Sequence, residues 1–94
     1  VIRVLNGELK GKEVLINQNR LRIGTAKKCE LRFKNNRRVS DIHAEIRRKG
    51  KELVLSETPK KAPIHVNDVL MKQRILKYED VIKIGTVKLY YNYE

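Results

Sequence analysis

Apolar and polar residues alternate in short runs along this chain, with a period of two. The clearest run places Cys29, Leu31 and Phe33 on one face. Glu30 and Arg32 alternate with them on the other face. A period of two is that of a β-strand with one buried face. We therefore predict a half-buried strand here and interpret Cys29 as a small buried hydrophobe rather than a reactive thiol.

Similar runs recur along the whole chain, separated by Gly, Asn, Asp and Pro. Short strands bounded in this way are typical of a β-sandwich or a barrel, and no segment shows sustained helical periodicity. We predict an all-β fold, a β-sandwich of about eleven short strands. The most clearly delimited strands are predicted at 1–5, 13–16, 20–23, 29–33, 42–47, 53–55, 81–84 and 87–91.

The segments between these strands contain turn-forming residues. The Asn67-Asp68 pair predicts a tight hairpin turn, because both residue types tolerate a positive φ. The polar segment 56–63 contains two prolines, which exclude pairing as a central strand. In the predicted strand 42–47, the alternation places His43 on the outward face. Further turns are predicted at 49–51, 76–80 and 85–86.

Positive charge is in excess and is unevenly distributed. Lys and Arg number 22 against 11 Asp and Glu, so the net charge is +11. Between Arg20 and Arg38, eight positive residues and the single negative Glu30 contribute +7 of this total. Such a field attracts anionic partners, such as phosphorylated or acidic proteins, nucleic acids or anionic lipids. The clustering favours an anion site, with a solvated basic surface as the alternative.

Five motifs follow one another along the chain, from Leu-Arg-Ile-Gly at 21–24 and Cys-Glu-Leu-Arg-Phe at 29–33 to Val-Ser-Asp-Ile-His-Ala at 39–44, Val-Asn-Asp at 66–68 and the closing segment 76–85. In their order and spacing they resemble those of a forkhead-associated (FHA) domain. The most informative is Ser40-x-x-His43, which alone would be a weak signal. The resemblance implies a β-sandwich whose binding surface is the set of loops at one end. It also implies a protein-interaction function through recognition of phosphothreonine.

The resemblance also implies which residues form the phosphopeptide site. Ser40 would donate its hydroxyl to the phosphate, and His43 would orient the neighbouring loops. A phosphate dianion needs several converging donors and at least one cation. The predicted phosphopeptide-binding residues are Thr25, Lys27, Lys28, Arg38 and Ser40, with Arg37 on the same rim. The predicted structural supports of the site are Gly24, His43 and Asn67, and His65 is assigned no role.

Three positions depart from the pattern of the family. Thr25 replaces an Arg, and losing a charge-assisted bond costs about 1.5–3 kcal/mol. This would weaken phosphate binding on the order of tenfold to a hundredfold unless a nearby Lys or Arg takes the place of that Arg. Asp41 stands where the family often has a donor, and an acid opposes a phosphate unless a basic neighbour neutralises it. Ala62 stands where an Asn should bond the main chain of the ligand.

The sequence therefore leaves three functions open. The first is phosphothreonine binding, and the second is docking of a partner by an FHA-like scaffold that has lost its phosphate dependence. The third is nucleic-acid binding, which the low aromatic content of 5% disfavours. We expect a phosphorylated or acidic protein as the partner and no membrane, and we disfavour nucleic acid.

No catalytic constellation and no metal-ligand spacing is visible in the sequence. We therefore expect no enzyme activity, no cofactor and no metal. We interpret residues 1–94 as a single cytoplasmic domain, excised from a longer protein because the chain begins at Val1 rather than at Met.

Overall fold

The computed structural model of the chain describes residues 1–58 and 62–93, and these form strands, turns and loops without a helix. The all-β prediction is confirmed. The eleven strands are β1 (Ile2–Val4), β2 (Glu13–Val14), β3 (Arg20–Gly24), β4 (Leu31–Arg32), β5 (Ala44–Lys49), β6 (Glu52–Glu57), β7 (Ile64–Val66), β8 (Val69–Met71), β9 (Gln73–Ile75), β10 (Val81–Ile84) and β11 (Val87–Tyr91).

The strands form two sheets. The six-stranded sheet has the order β2-β1-β11-β10-β7-β8, and the five-stranded sheet has the order β4-β3-β5-β6-β9. All neighbouring strands are antiparallel except β3 and β4, which are parallel. The inner faces of both sheets enclose one hydrophobic core. Burying each large aliphatic side chain contributes about 1.5–3 kcal/mol, which makes this core the main source of stability.

The predicted strand 29–33 is only partly correct. Cys29, Leu31 and Phe33 are all buried, so the predicted face is confirmed. Only Leu31 and Arg32 are strand residues, because the chain enters this segment from one turn and leaves it in another. The Phe33 carbonyl already accepts a turn bond from the Asn36 N–H, at 3.1 Å. A short parallel strand at the edge of the sheet results.

The polar segment 56–63 begins later than predicted. Ser56 and Glu57 belong to β6, where Ser56 pairs with Gln73 and Glu57 pairs with Ala44. Their polar side chains fit there because both positions are half-exposed. Of the two prolines, Pro59 lies outside the described residues.

The β9 strand was not predicted from the sequence. It follows β8 almost directly, yet β8 pairs in the six-stranded sheet and β9 pairs in the five-stranded sheet. β9 is an edge strand, and its Gln73 and Ile75 are both exposed, so the sequence carries no burial pattern there.

The hairpin turn at Asn67-Asp68 agrees with the prediction. Asn67 and Asp68 have φ values of 52° and 67°, and the flanking Val66 and Val69 pair directly. This is the φ pattern of a two-residue turn of the primed type, which matches the twist of the flanking strands.

Candidate functional site

Several loops meet at one end of the sandwich, where β3 and β10 end and β5 begins; we call this the loop end. The loop 25–30 and the loop 33–43 are held together by their backbones. The Thr25 N–H donates to the Ser40 carbonyl at 3.1 Å. The next N–H along the chain donates to the Asp41 carbonyl at 3.0 Å. The backbone conformation around Ser40 is therefore set by its contact with the neighbouring loop.

Gly24 makes this contact possible. A Cβ atom at Gly24 would lie 2.1 Å from the Asp41 carbonyl oxygen and 2.8 Å from that of Ser40. Both distances are far inside van der Waals contact, and both neighbours are backbone atoms that cannot swing aside. Any other residue at this position would force the two loops apart.

His43 connects the Ser40 loop to the other sheet. The prediction that His43 points outward is wrong, since only 2% of its surface is exposed. The Ser40 N–H donates to His43 Nδ1 at 3.1 Å, and His43 Nε2 lies 2.8 Å from the Pro63 carbonyl oxygen. Since Nδ1 accepts a hydrogen bond, the proton is on Nε2 and is donated to Pro63. His43 precedes β5, so strand alternation does not govern its direction.

The Ser40 side chain is half-buried, and its hydroxyl has no partner within residues 1–58 and 62–93. The backbone of Ser40 is fully used, because its N–H and its carbonyl both form hydrogen bonds. The side chain is thus a positioned donor at the loop end.

The Thr25 hydroxyl donates to Asp41 Oδ1 at 3.2 Å. The Thr25 carbonyl in turn accepts a bond from Arg32 Nε at 2.9 Å. Thr25 and Asp41, two of the predicted departures from the FHA pattern, are therefore in direct contact. A carboxylate binds the one hydroxyl proton that Thr25 can donate.

Not all of the clustered positive charge is available to a ligand. Arg22 forms an ion pair with Glu30 at 3.0 Å, and this hydrogen bond lowers the pKa of the Glu30 carboxyl from its usual value. Lys27 and Lys28 are exposed, and neither is paired within the described residues. Arg37 is also exposed.

Arg38 lies against the turn between β10 and β11. An added Cβ at Gly85 would be 2.4 Å from the Arg38 carbonyl oxygen, which shows how closely the loop packs on this turn. Arg38 lines a groove of about 510 Å³ together with His43, Pro63, His65, Lys83, Gly85, Thr86 and Lys88. The sequence assigned no role to His65, Lys83 or Lys88.

Asn67 is not brought to the loop end. It lies at the far end of β7 from Pro63, about 13 Å along the strand. Its side chain donates to Asp80 Oδ1 at 3.1 Å and accepts from the Val81 N–H at 2.9 Å. Ala62, the third predicted departure from the FHA pattern, is buried and offers no side-chain donor.

Asp80 is the centre of a second polar network, at the opposite end of the six-stranded sheet. Its carboxylate forms an ion pair with Arg74 at 3.0 Å and accepts from the Lys77 N–H at 2.9 Å. Burial alone would raise the pKa of Asp80, but the bonds from Arg74, Lys77 and Asn67 outweigh it, and the pKa is lowered.

Cys29 is buried, as predicted, and its thiol lies 3.3 Å from the Asp41 carbonyl oxygen. Burial raises the pKa of this thiol, so it stays protonated at neutral pH. Among residues 1–58 and 62–93, no group of three or more His, Cys, Asp or Glu side chains is arranged to hold a metal ion. The described segments also lack any helix of the length and apolar character needed to cross a membrane.

The sequence matches a known protein family over nearly its full length. Residues 3–93 match the family model described as "Inner membrane component of T3SS, cytoplasmic domain", where T3SS denotes the type III secretion system. No curated protein sequence matches the chain.

The structure is similar to solved FHA domains. The FHA domain of a hypothetical protein of Arabidopsis thaliana superposes with a TM-score of 0.86 at 18% identity, covering 98% of this chain and 82% of that chain. EmbR of Mycobacterium tuberculosis, in complex with a low-affinity phosphopeptide, gives 0.85 at 18% identity and covers 97% of this chain and 23% of its own.

A third similar structure comes from a secretion system. The cytoplasmic domain of the T3SS sorting platform protein PscD from P. aeruginosa gives a TM-score of 0.79 at 16% identity, covering 95% of this chain and 75% of that chain. At these identities the likenesses show the fold, which is that of an FHA domain.

Proposed function

Because the chain belongs to the family of cytoplasmic domains of the inner-membrane component of the type III secretion system, we propose that it is a protein-docking domain whose loop end binds its partner without a phosphate. We further propose that it acts on the cytoplasmic side and that the partner is another protein of the secretion assembly. The similarity to PscD, a sorting platform protein, supports a role in such an assembly.

The hydrogen bond between Thr25 and Asp41 carries the proposal that phosphate is not required. A threonine hydroxyl has one proton to donate. A phosphate cannot receive that proton while the Asp41 carboxylate holds it. Where the FHA pattern has an arginine, this chain has a hydroxyl already bound to an anion.

The energies point the same way. Like charges about 4 Å apart repel by about 1 kcal/mol in water and about 4 kcal/mol near a protein surface. A phosphate bound to the Ser40 hydroxyl would lie beside Asp41 and would gain about 1.5–3 kcal/mol from that bond. An exposed lysine such as Lys27 adds only about 0.2–1 kcal/mol. Where no basic neighbour neutralises Asp41, a repulsion of this size is comparable with the gain from Ser40.

Phosphothreonine binding is the second candidate function. It is favoured by one observation, which is that the Ser40 hydroxyl and the Lys27 and Lys28 ammonium groups are unpaired within the described part of the chain. In this case a lysine would take the place of the missing arginine, and Asp41 would have to release the Thr25 hydroxyl.

A comparison of peptide libraries separates the two functions. We expect a phosphothreonine peptide library and its unphosphorylated counterpart to bind equally, or neither to bind, when titrated against the domain. A strict preference for the phosphorylated peptides, lost in Ser40→Ala, would contradict the proposal and establish the second candidate.

A gain-of-function variant tests the reason given for the loss. Thr25→Arg combined with Asp41→Asn restores a cation and removes the competing anion. We expect phosphothreonine peptides to bind on the order of tenfold to a hundredfold more tightly than to the original chain. The matched control, Asn19→Arg with Glu52→Gln, adds the same charge at the opposite end of the five-stranded sheet. An equal gain in the control would show that net charge, and not the Thr25–Asp41 pair, limits phosphate binding.

A further inference from the structure

The groove beside the loop end gathers basic side chains from separate parts of the chain. His65 lies on β7, Lys83 on β10 and Lys88 on β11, and these three strands are neighbours in the six-stranded sheet. Lys83 pairs directly with Lys88 on one side and with His65 on the other. Adjacent strands are about 4.8 Å apart, so the three side chains form a row about 10 Å long on the outer face. Arg38 enters the same groove from the loop.

The described part of the chain does not neutralise these charges. Among the described residues that line the groove there is no Asp and no Glu. Within residues 1–58 and 62–93, the side chains of Arg38, His65, Lys83 and Lys88 form no hydrogen bond or ion pair. Like charges placed directly across two strands are destabilising. The Lys83–Lys88 pair therefore costs stability in the free domain, and an anion in the groove would remove that cost.

We propose that this groove binds a carboxylate-rich, acidic segment of a partner protein. The charge of the groove is complementary to such a segment. Its volume of about 510 Å³ exceeds that of an inorganic ion and suits several side chains. Pro63 and Gly85 supply uncharged surface between the cations, on which an extended backbone can rest. No aromatic residue lines the groove, so it lacks the stacking surface that single-stranded nucleic acids use.

The groove adjoins the rim that contains Thr25 and Ser40 and shares Arg38 with it, but its row of His65, Lys83 and Lys88 lies on the outer face of the six-stranded sheet. His43 is one of its walls and connects the two surfaces, because His43 also bonds the Ser40 N–H. The docking of an acidic segment here does not depend on whether the rim binds a phosphate. Failure of one proposal would therefore leave the other standing.

The test uses the isotope-labelled domain and a short oligoglutamate peptide, followed by NMR at low ionic strength. We expect the amide signals of His65, Lys83, Gly85 and Thr86 to shift together and to saturate. Lys83→Glu with Lys88→Glu should weaken binding by about tenfold or more, because two exposed charge pairs become repulsive. No binding, or shifts spread evenly over all basic residues, would overturn the proposal.

A matched control separates the groove from the net charge. Lys49→Glu with Lys51→Glu also exchanges two exposed lysines, but at the hairpin between β5 and β6 in the other sheet. We expect this control to bind oligoglutamate almost as well as the original chain. An equal loss in both double variants would mean that diffuse charge attracts the peptide, which would overturn the proposal.

A single variant excludes misfolding as the cause of lost binding. Lys83→Glu turns the repulsive pair with Lys88 into an attractive one, so we expect its melting temperature to rise while its affinity for oligoglutamate falls. A fall in both would indicate structural damage and would contradict the argument from repulsion.

Two further measurements locate the ligand and its class. Ser40→Ala should leave oligoglutamate binding unchanged. If this variant lost oligoglutamate binding, the anion would be bound at the rim, and the proposal would be overturned. An oligothymidylate that shifts the same amides and binds more tightly than the peptide would reassign the groove to nucleic acid and overturn the proposal.

Discussion

Each end of the domain contains a hydrogen-bond network built around a buried polar side chain, His43 at the loop end and Asp80 at the opposite end, which we call the far end. The two networks differ in whether a hydrogen-bonding group remains without a partner. At the far end, Asp80 accepts bonds from Arg74, Asn67 and the Lys77 backbone, so this network is complete in itself. At the loop end, His43 satisfies both of its ring nitrogens but holds the Ser40 backbone beside a hydroxyl with no partner in the described segments. A closed network supports a fold, whereas an open one also offers a donor to a ligand.

The difference extends to the charges around each network. Arg74 neutralises Asp80 within the protein, and the pair is mostly shielded from water. Near the loop end, Arg38, Lys83 and Lys88 lie around a groove in which no described lining residue is acidic. The far end therefore contributes to the stability of the isolated domain, while the loop end carries charge that a partner can neutralise.

The largest expected effect concerns the packing of the loop end. Gly24→Ala places a methyl group 2.1 Å from the Asp41 carbonyl oxygen, so the backbone must move. We expect a loss of about 3 kcal/mol in the free energy of unfolding, at the upper range of overpacking. Urea denaturation measures it. Ser40→Ala, in the same contact but without a clash, should change stability by less than about 0.5 kcal/mol. If both variants lost only a similar, small amount of unfolding free energy, the two loops could move apart without cost and would not be tightly packed.

The far end is tested by Asp80→Asn, which keeps the shape and removes the charge. We expect a loss of about 2 kcal/mol at neutral pH, because Arg74 loses an ionised partner and the Lys77 N–H loses an ionised acceptor. Urea denaturation at pH 7 gives the value.

The pH dependence of this loss follows from the lowered pKa of Asp80. The folded state binds the proton less readily than the unfolded chain, so the carboxylate contributes stability above the unfolded pKa of about 3.9. That contribution is lost as the pH falls through the lower folded pKa. The stabilities of the original chain and Asp80→Asn should therefore converge in acid. If the difference in the free energy of unfolding between the two proteins stayed constant down to pH 2, the charge of Asp80 would not be what stabilises the far end.

A smaller effect is expected from His43→Phe at the loop end. The ring volume is retained, but the Ser40 N–H and the Pro63 carbonyl lose their partner, which costs about 1–2 kcal/mol. Hydrogen exchange of the Ser40 amide should accelerate more than that of the core strands. If the Ser40 amide kept its protection, another group would be holding the loop and the comparison of the two networks would need revision.

Much of the fold could be predicted from the sequence because its signals are local. The period of two identified the buried face of Cys29 and Phe33, and the Asn67-Asp68 turn followed from the φ values that those residues tolerate. β9 carried no such signal, because an exposed edge strand buries neither face in an alternating way. His43 was misassigned since it precedes β5, where the strand period no longer applies.

The candidate sites depended on contacts that no local pattern contains. Thr25 and Asp41 were both recognised as departures, but their hydrogen bond arises only because two loops meet over Gly24. The row of His65, Lys83 and Lys88 depends on the register of three strands.

By itself, the amino-acid sequence determined the β-sandwich, the FHA resemblance and the excess of positive charge. These depend on period, turn chemistry and composition, which act along the chain. Only the tertiary structure decided which charges are neutralised, which hydrogen-bond donors have no partner in the described segments and where cations from distant strands converge. Arg22 is paired with Glu30, whereas Lys83 faces Lys88, and both outcomes follow from packing in three dimensions.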